Sequence, residues 1–190
     1  MLETSPRQIL EQGLPYDRCQ IGVVTAMPGP EGLADLYITE AEQMPGIVRT
    51  QIDVVLKNGA AVLNAADPAV RELAGYCDGE VLLYADLEHA DRNTAAAIAE
   101  HRAGKNGKGR AVLLRDGKIV LAQGQAETLL ANTSLPALAA LLALSPSAPG
   151  QALAAIACAW HLDLPPDLIR ASLLRFNHPC SDDPAIGTPA

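Results

Sequence analysis

Short apolar runs alternate with helix-spaced patterns through the first half of the chain. Residues 20–27, QIGVVTAM, are apolar and stop at Pro28-Gly29-Pro30, which predicts a buried strand running into a loop. Residues 28–45 are rich in Pro, Gly and acid and predict a surface excursion. Residues 46–57 place Ile47, Val48, Ile52, Val55 and Leu56 at helical spacing, with Asn58-Gly59 as the stop. Residues 60–64 predict a second buried strand. Asp67 as N-cap and Pro68 at the first helical position then predict a helix ending near Tyr76. Residues 80–85, EVLLYA, predict a third strand. Strand and helix alternating at this pace imply a parallel sheet with right-handed crossovers.

The pattern changes after an Ala-rich helix expected over 87–103. RAVLLRDGKIVLA, residues 110–122, is two apolar runs around Asp116-Gly117, the strongest short hairpin signal in the chain. Residues 123–131 add a third antiparallel strand. Two helices are expected at about 150–162 and 166–176, separated by Pro165-Pro166. Asp167 in the first turn of the second complements its dipole. The predicted fold class is α/β: a single domain over residues 1–176, its parallel sheet flanked by helices plus a small antiparallel flap. Residues 177–190 predict a disordered tail.

Composition narrows the function classes. Hydrophobic residues are 49% of the chain and aromatic residues 3%, so a core must come from Ala, Leu, Val and Ile. A net charge of −8 disfavours nucleic acid and anionic membranes as partners, because both demand a cationic face. Cys19, Cys77, Cys158 and Cys180 lie far apart and fit free thiols in a reducing compartment. The most apolar stretch is broken by Pro136, Pro146, Pro149 and Gly150, too early for a membrane span. The N-terminus carries no apolar signal run, which makes the cytoplasm the expected location.

Three segments carry a family resemblance: EQGLPYDRCQIGVVTA at 11–26, AAVLNAADP at 60–68 and QALAAIACAWHLDLPPDLIRASLL at 151–174. In this order and spacing they resemble the central domain of the Mur ligase superfamily, most closely the ligase half of the cyanophycin synthetases. The resemblance implies ATP- and Mg²⁺-dependent amide-bond formation, joining an acid to an amino acid through an acyl phosphate. It also implies that the chain is truncated, opening past the phosphate loop and lacking the domain that follows.

Each part of such an ATP site can be sought in turn. No G-x-x-x-x-G-K-[ST] loop is present; Gly104–Gly109 has the wrong spacing and follows a helix. His101, Arg102 and Arg110 fit the outline of the family's H-R-x-x-G-G-R segment. Glu3 and Thr4 match the start of a metal-binding E-T-A-R-G-G motif, which makes Glu3 the candidate metal ligand. The loop after Val23-Val24-Thr25-Ala26 has no His, and Val48 stands where the family has a lysine. The nucleotide segment is retained as Asn64, Asp67 and Pro68, with Gln151 in place of a later Asn. Asn64 and Asp67 also suit a turn and an N-cap, and the sequence leaves both uses open.

Segments that build the fold match, whereas those that touch phosphate and metal are altered. The expectation is a degenerate, non-catalytic ligase domain with no catalytic residue. Asn64, Asp67 and Gln151 are its nucleotide candidates, and the family's ATP and Mg²⁺ are not bound by this chain alone. The alternative is a subunit of a split ligase whose phosphate loop comes from another chain. An uncovered sheet edge predicts a homodimer or a ligase partner chain.

Overall fold

A computed structural model describes residues 1–175, without the side chains of residues 105 and 106. The predicted tail at 177–190, with His178 and Cys180, lies outside the described residues. The strands are β1 (Cys19–Val24), β2 (Val55–Asn64), β3 (Glu80–Asp86), β4 (Arg110–Arg115), β5 (Lys118–Gln123) and β6 (Ala126–Asn132). The α-helices are α1 (Pro6–Gln12), α2 (Met44–Val48), α3 (Thr50–Asp53), α4 (Pro68–Glu72), α5 (Arg92–Gly107), α6 (Pro136–Leu142), α7 (Ala148–His161) and α8 (Pro166–Arg175). One six-stranded sheet runs in chain order from β1 to β6. The first four strands pair in parallel, and β4, β5 and β6 pair antiparallel. The α/β class with an antiparallel flap is therefore the observed fold.

Strand order explains the layers. Three successive right-handed crossovers that all step the same way must leave their helices on one face. That face holds Val48, Ile52, Val70, Leu73 and Ile98 against Leu63, Leu83 and Leu113. The opposite face is closed from the C-terminal side, where Leu138, Leu153, Ile156 and Ile169 pack on Val62, Leu82, Tyr84, Leu121 and Leu130. Alternation along each central strand sends every second residue to one layer. Both faces are apolar, which is why β3 and β4 read as continuous hydrophobic runs.

Three elements differ from their predicted form. The helix expected over 46–57 is α2 and α3, and Val55, Leu56, Asn58 and Gly59 belong to β2. Val54-Val55-Leu56 suits either period, and pairing with β1 decides it: Cys19 N–H donates to the Val54 carbonyl at 3.0 Å. Gly59 is no helix stop. A Cβ there would lie 2.3 Å from the Gln20 carbonyl oxygen, so the glycine lets β1 and β2 close on each other. The helix expected from residue 87 begins at Arg92 instead, because Asp91 caps it by accepting from the Thr94 N–H at 2.7 Å. The expected buried first strand is an edge strand, with Val23 37% exposed.

Residues 28–45 do more than wander. Leu33, Met44 and Ile47 form a small buried cluster with Ile9 and Met27 packed against it. Ile9 comes from α1, an unpredicted helix whose N-terminus has a capping box of Ser5 and Gln8.

Candidate functional site

In open α/β sheets, ligands gather at the carboxyl ends of the parallel strands. Asn64 closes β2 there and pairs in register with Tyr84 of β3. Helix α7 runs antiparallel to β3 and β4. Its His161 end meets Glu80, the first residue of β3, and its Gly150 end lies 3.9 Å (from a Cβ position) from the Tyr84 ring. The N-terminal turn of α7, with exposed Gln151, therefore shares the carboxyl end of the sheet with Asn64 and Asp67. The structure brings these three sequence-predicted residues to one end.

Their polar groups have internal work. The Asn64 amide donates to the Thr25 carbonyl at 2.9 Å and accepts from the Ala66 N–H at 3.0 Å. One Asp67 carboxylate oxygen accepts from the Ala69 and Val70 N–H groups, at 3.0 and 3.3 Å. The other accepts from the Met27 N–H at 2.7 Å. Together they latch the segment leaving β1 onto the turn leaving β2. The same carboxylate caps α4, as the Asp-Pro pair predicts.

Glu3 is exposed ahead of α1. Its neighbour Thr4 donates to the Gln51 side chain at 3.0 Å, and the Gln51 carbonyl abuts Cys19 and Gly22 in β1. Glu3 is thus placed beside the first half of β1, away from Asn64. Among the described residues no group of three or more His, Cys, Asp or Glu side chains is placed to hold a metal ion.

The remaining residues do not fit a Mg²⁺–nucleotide phosphate site. Val48, which the resemblance sets against a lysine, is 3% exposed and packs in the core. The Gly104–Gly109 run lies at the end of α5, where Gly107 takes φ +68° and reverses the chain. A Cβ on Gly109 would sit 2.0 Å from the His101 carbonyl oxygen, so this glycine lets β4 start against the helix. Arg102 donates to the Gly124 carbonyl at 2.8 Å and to Glu127 at 2.7 Å. His101 Nε2 lies 3.2 Å from the Arg110 carbonyl. Of the three basic residues that resembled a family motif, His101 and Arg102 hold α5 to β4 and the flap, whereas the Arg110 side chain turns to the other side of the sheet.

Sequence reasoning missed a cluster at the amino end of the sheet. Glu80 accepts from Arg110 at 3.0 Å and lies 3.2 Å from His161 Nδ1. Arg110 also donates to the Trp160 carbonyl at 2.9 Å and stacks 3.9 Å above the Trp160 ring. Glu80, Arg110 and His161, with Gln20, Asn58 and Asp163, line an open polar depression of about 450 Å³. Glu80 and His161 stand 81 residues apart, so no local pattern announces the contact.

No family model matches the chain. Cyanophycin synthetase from Crocosphaera subtropica is 35% identical over 109 residues, 53% of this chain and 12% of the relative. The Synechocystis enzyme of that name is 35% identical over 108 residues, with the same coverage. The Geminocystis herdmanii one is 32% identical over 109 residues, again 53% and 12%. The match thus spans about an eighth of these relatives' length. Over half of its length the chain is related to a ligase family. Among the described residues, no helix is long and apolar enough to cross a membrane.

Proposed function

We propose that this chain is a degenerate Mur-ligase-like domain that has kept the fold and does not by itself carry out ATP-dependent acid–amino acid ligation. One observation carries the reading. The retained nucleotide segment is spent on the fold, because Asn64 and both oxygens of Asp67 are engaged by Thr25, Ala66, Met27, Ala69 and Val70. The segment therefore persists for structural reasons without any nucleotide. The resulting role is that of a scaffold.

Calorimetric titration of the full chain with ATP and Mg²⁺ tests this directly. The expected result is no saturable heat at micromolar concentrations; clear micromolar binding sinks the reading. In parallel, Asp67→Ala is expected to lower unfolding free energy by about 1–3 kcal/mol, since it removes a cap and orphans the Met27 N–H. An unchanged denaturation midpoint would show that the latch does not hold β1 to β2. The alternative, a subunit of a split ligase, draws its support from the open β1 edge.

A further inference from the structure

The two faces and the far edge of the sheet are covered, but β1 is not. Among the described residues, no side chain or loop hydrogen-bonds to the outer edge of Cys19–Val24. Ile21 and Val23 share a face with Ala60 and Val62, their partners in β2, and that face is the one covered by α7. The main contacts of α7 run to β2, β3 and β4, and Ile21 of β1 is only partly buried against that layer, which makes β1 its margin. Val23 is 37% exposed in consequence. The strand also carries no charged residue, the usual guard against edge pairing.

We propose that β1 is the dimerisation edge of this protein, and that its occupant is β1 of a second copy. The two strands run antiparallel about a two-fold axis at Gly22 and join two six-stranded sheets into one. The strand is self-complementary in that register. Ile21 faces Val23 of the other copy, giving two β-branched pairs over the bare margin. Gln20 faces Val24. Beyond the strand, Arg18 faces Ala26 and Asp17 faces Met27, so no charge meets its like. The interface is isologous and closes at two copies. It is also small, as suits a reversible rather than an obligate dimer. Each copy carries a net charge of −8, so salt strengthens the association by screening repulsion.

Sedimentation of the full chain over a micromolar to hundred-micromolar range tests the proposal. The expected result is a concentration-dependent mass rising from 19.9 kDa toward twice that value, and rising further at about 0.5 M salt. Val23→Lys places two like charges at the seam on an already exposed position. It is expected to give a monomer whose far-UV circular dichroism matches wild type. Hydrogen exchange supplies an arm that needs no variant: the outward amides of β1 gain protection on concentration and lose it on dilution. A strict monomer throughout, a dimer that survives Val23→Lys, or β1 amides indifferent to concentration each overturn the proposal. A monomer whose β1 amides become protected on adding a different chain assigns the edge to a split assembly instead.

Discussion

The two edges of the sheet are built on opposite plans. β6 is finished: Arg170 of α8 donates to the Leu130 carbonyl at 2.8 Å, and Glu127 binds Arg102 and Arg115. A register irregularity between Ile119 and Val120 bends the β5–β6 pairing. Charge, an irregular ladder and a covering helix are recognised means of preventing edge-to-edge pairing. β1 shares only the irregularity, between Cys19 and Ile21; it carries no charge and no helix over its outer edge, and its attachment to the sheet depends on backbone proximity. The contrast shows where a molecule with a complete core still offers a template.

The largest effect tests that attachment. Gly59→Val would force a side chain into the 2.3 Å gap to the Gln20 carbonyl. β1 must then shift or detach, exposing Val24 and Ile52, each less than 5% exposed in the fold. The expected loss is about 3 kcal/mol or more by chemical denaturation, within the range for overpacking combined with core exposure. A loss below about 1 kcal/mol would mean that β1 relaxes freely and is not held by close backbone approach.

The second test converts one edge into the other. Arg170→Ala removes the donor on the Leu130 carbonyl and uncovers the outer ladder of β6. Loss of a charged donor to a largely buried carbonyl is expected to cost about 1–2 kcal/mol. Exposing a second edge also permits growth past two copies. The variant should therefore scatter more light at high concentration than wild type, and a Val23→Lys, Arg170→Ala double variant should scatter less than Arg170→Ala alone. Equal scattering from the single and double variants would show that β1 takes no part.

How much of this was legible beforehand depends on the range of the interaction. Asp116-Gly117 forms the predicted hairpin turn, with φ of +49° and +66°, because a two-residue turn dictates its own chemistry. Asp67-Pro68 starts α4 for the same local reason. The capping box of Ser5 and Gln8 and the Asp91–Thr94 cap are equally local signals, so α1 and the true start of α5 are legible from their cap residues. The β1–β2 pairing was not readable, because Val55 and Gly59 take strand geometry only through a neighbour 35 or more residues away. Asn64, Asp67 and Gln151 reach one end of the sheet because strand ends and helix starts converge there in any such fold. Glu80 and His161 needed three dimensions.

The smallest effect concerns acid. Burial pushes the Glu127 carboxyl up, but hydrogen bonds from Arg102 and Arg115 outweigh it and hold the group below its ordinary value. A carboxylate depressed in the folded state adds stability above its unfolded pKa, and that stability is lost as pH falls through the folded pKa. The lock on β6 should therefore be intact at pH 7 and weaken below about pH 4. β1 carries no carboxylate and has no such dependence. The Arg102, Glu127 and Arg115 side chains are 14%, 29% and 39% exposed, so solvent screening keeps the contribution below about 1 kcal/mol. Glu127→Gln removes this component: its stability difference from wild type should shrink toward zero between pH 7 and pH 3. Amide exchange localises the effect, with β6 amides losing protection before those of β3 as pH is lowered. A difference that is constant across that interval would mean that the two arginines do not act on the carboxylate, and that the finish of the β6 edge rests on Arg170 and α8.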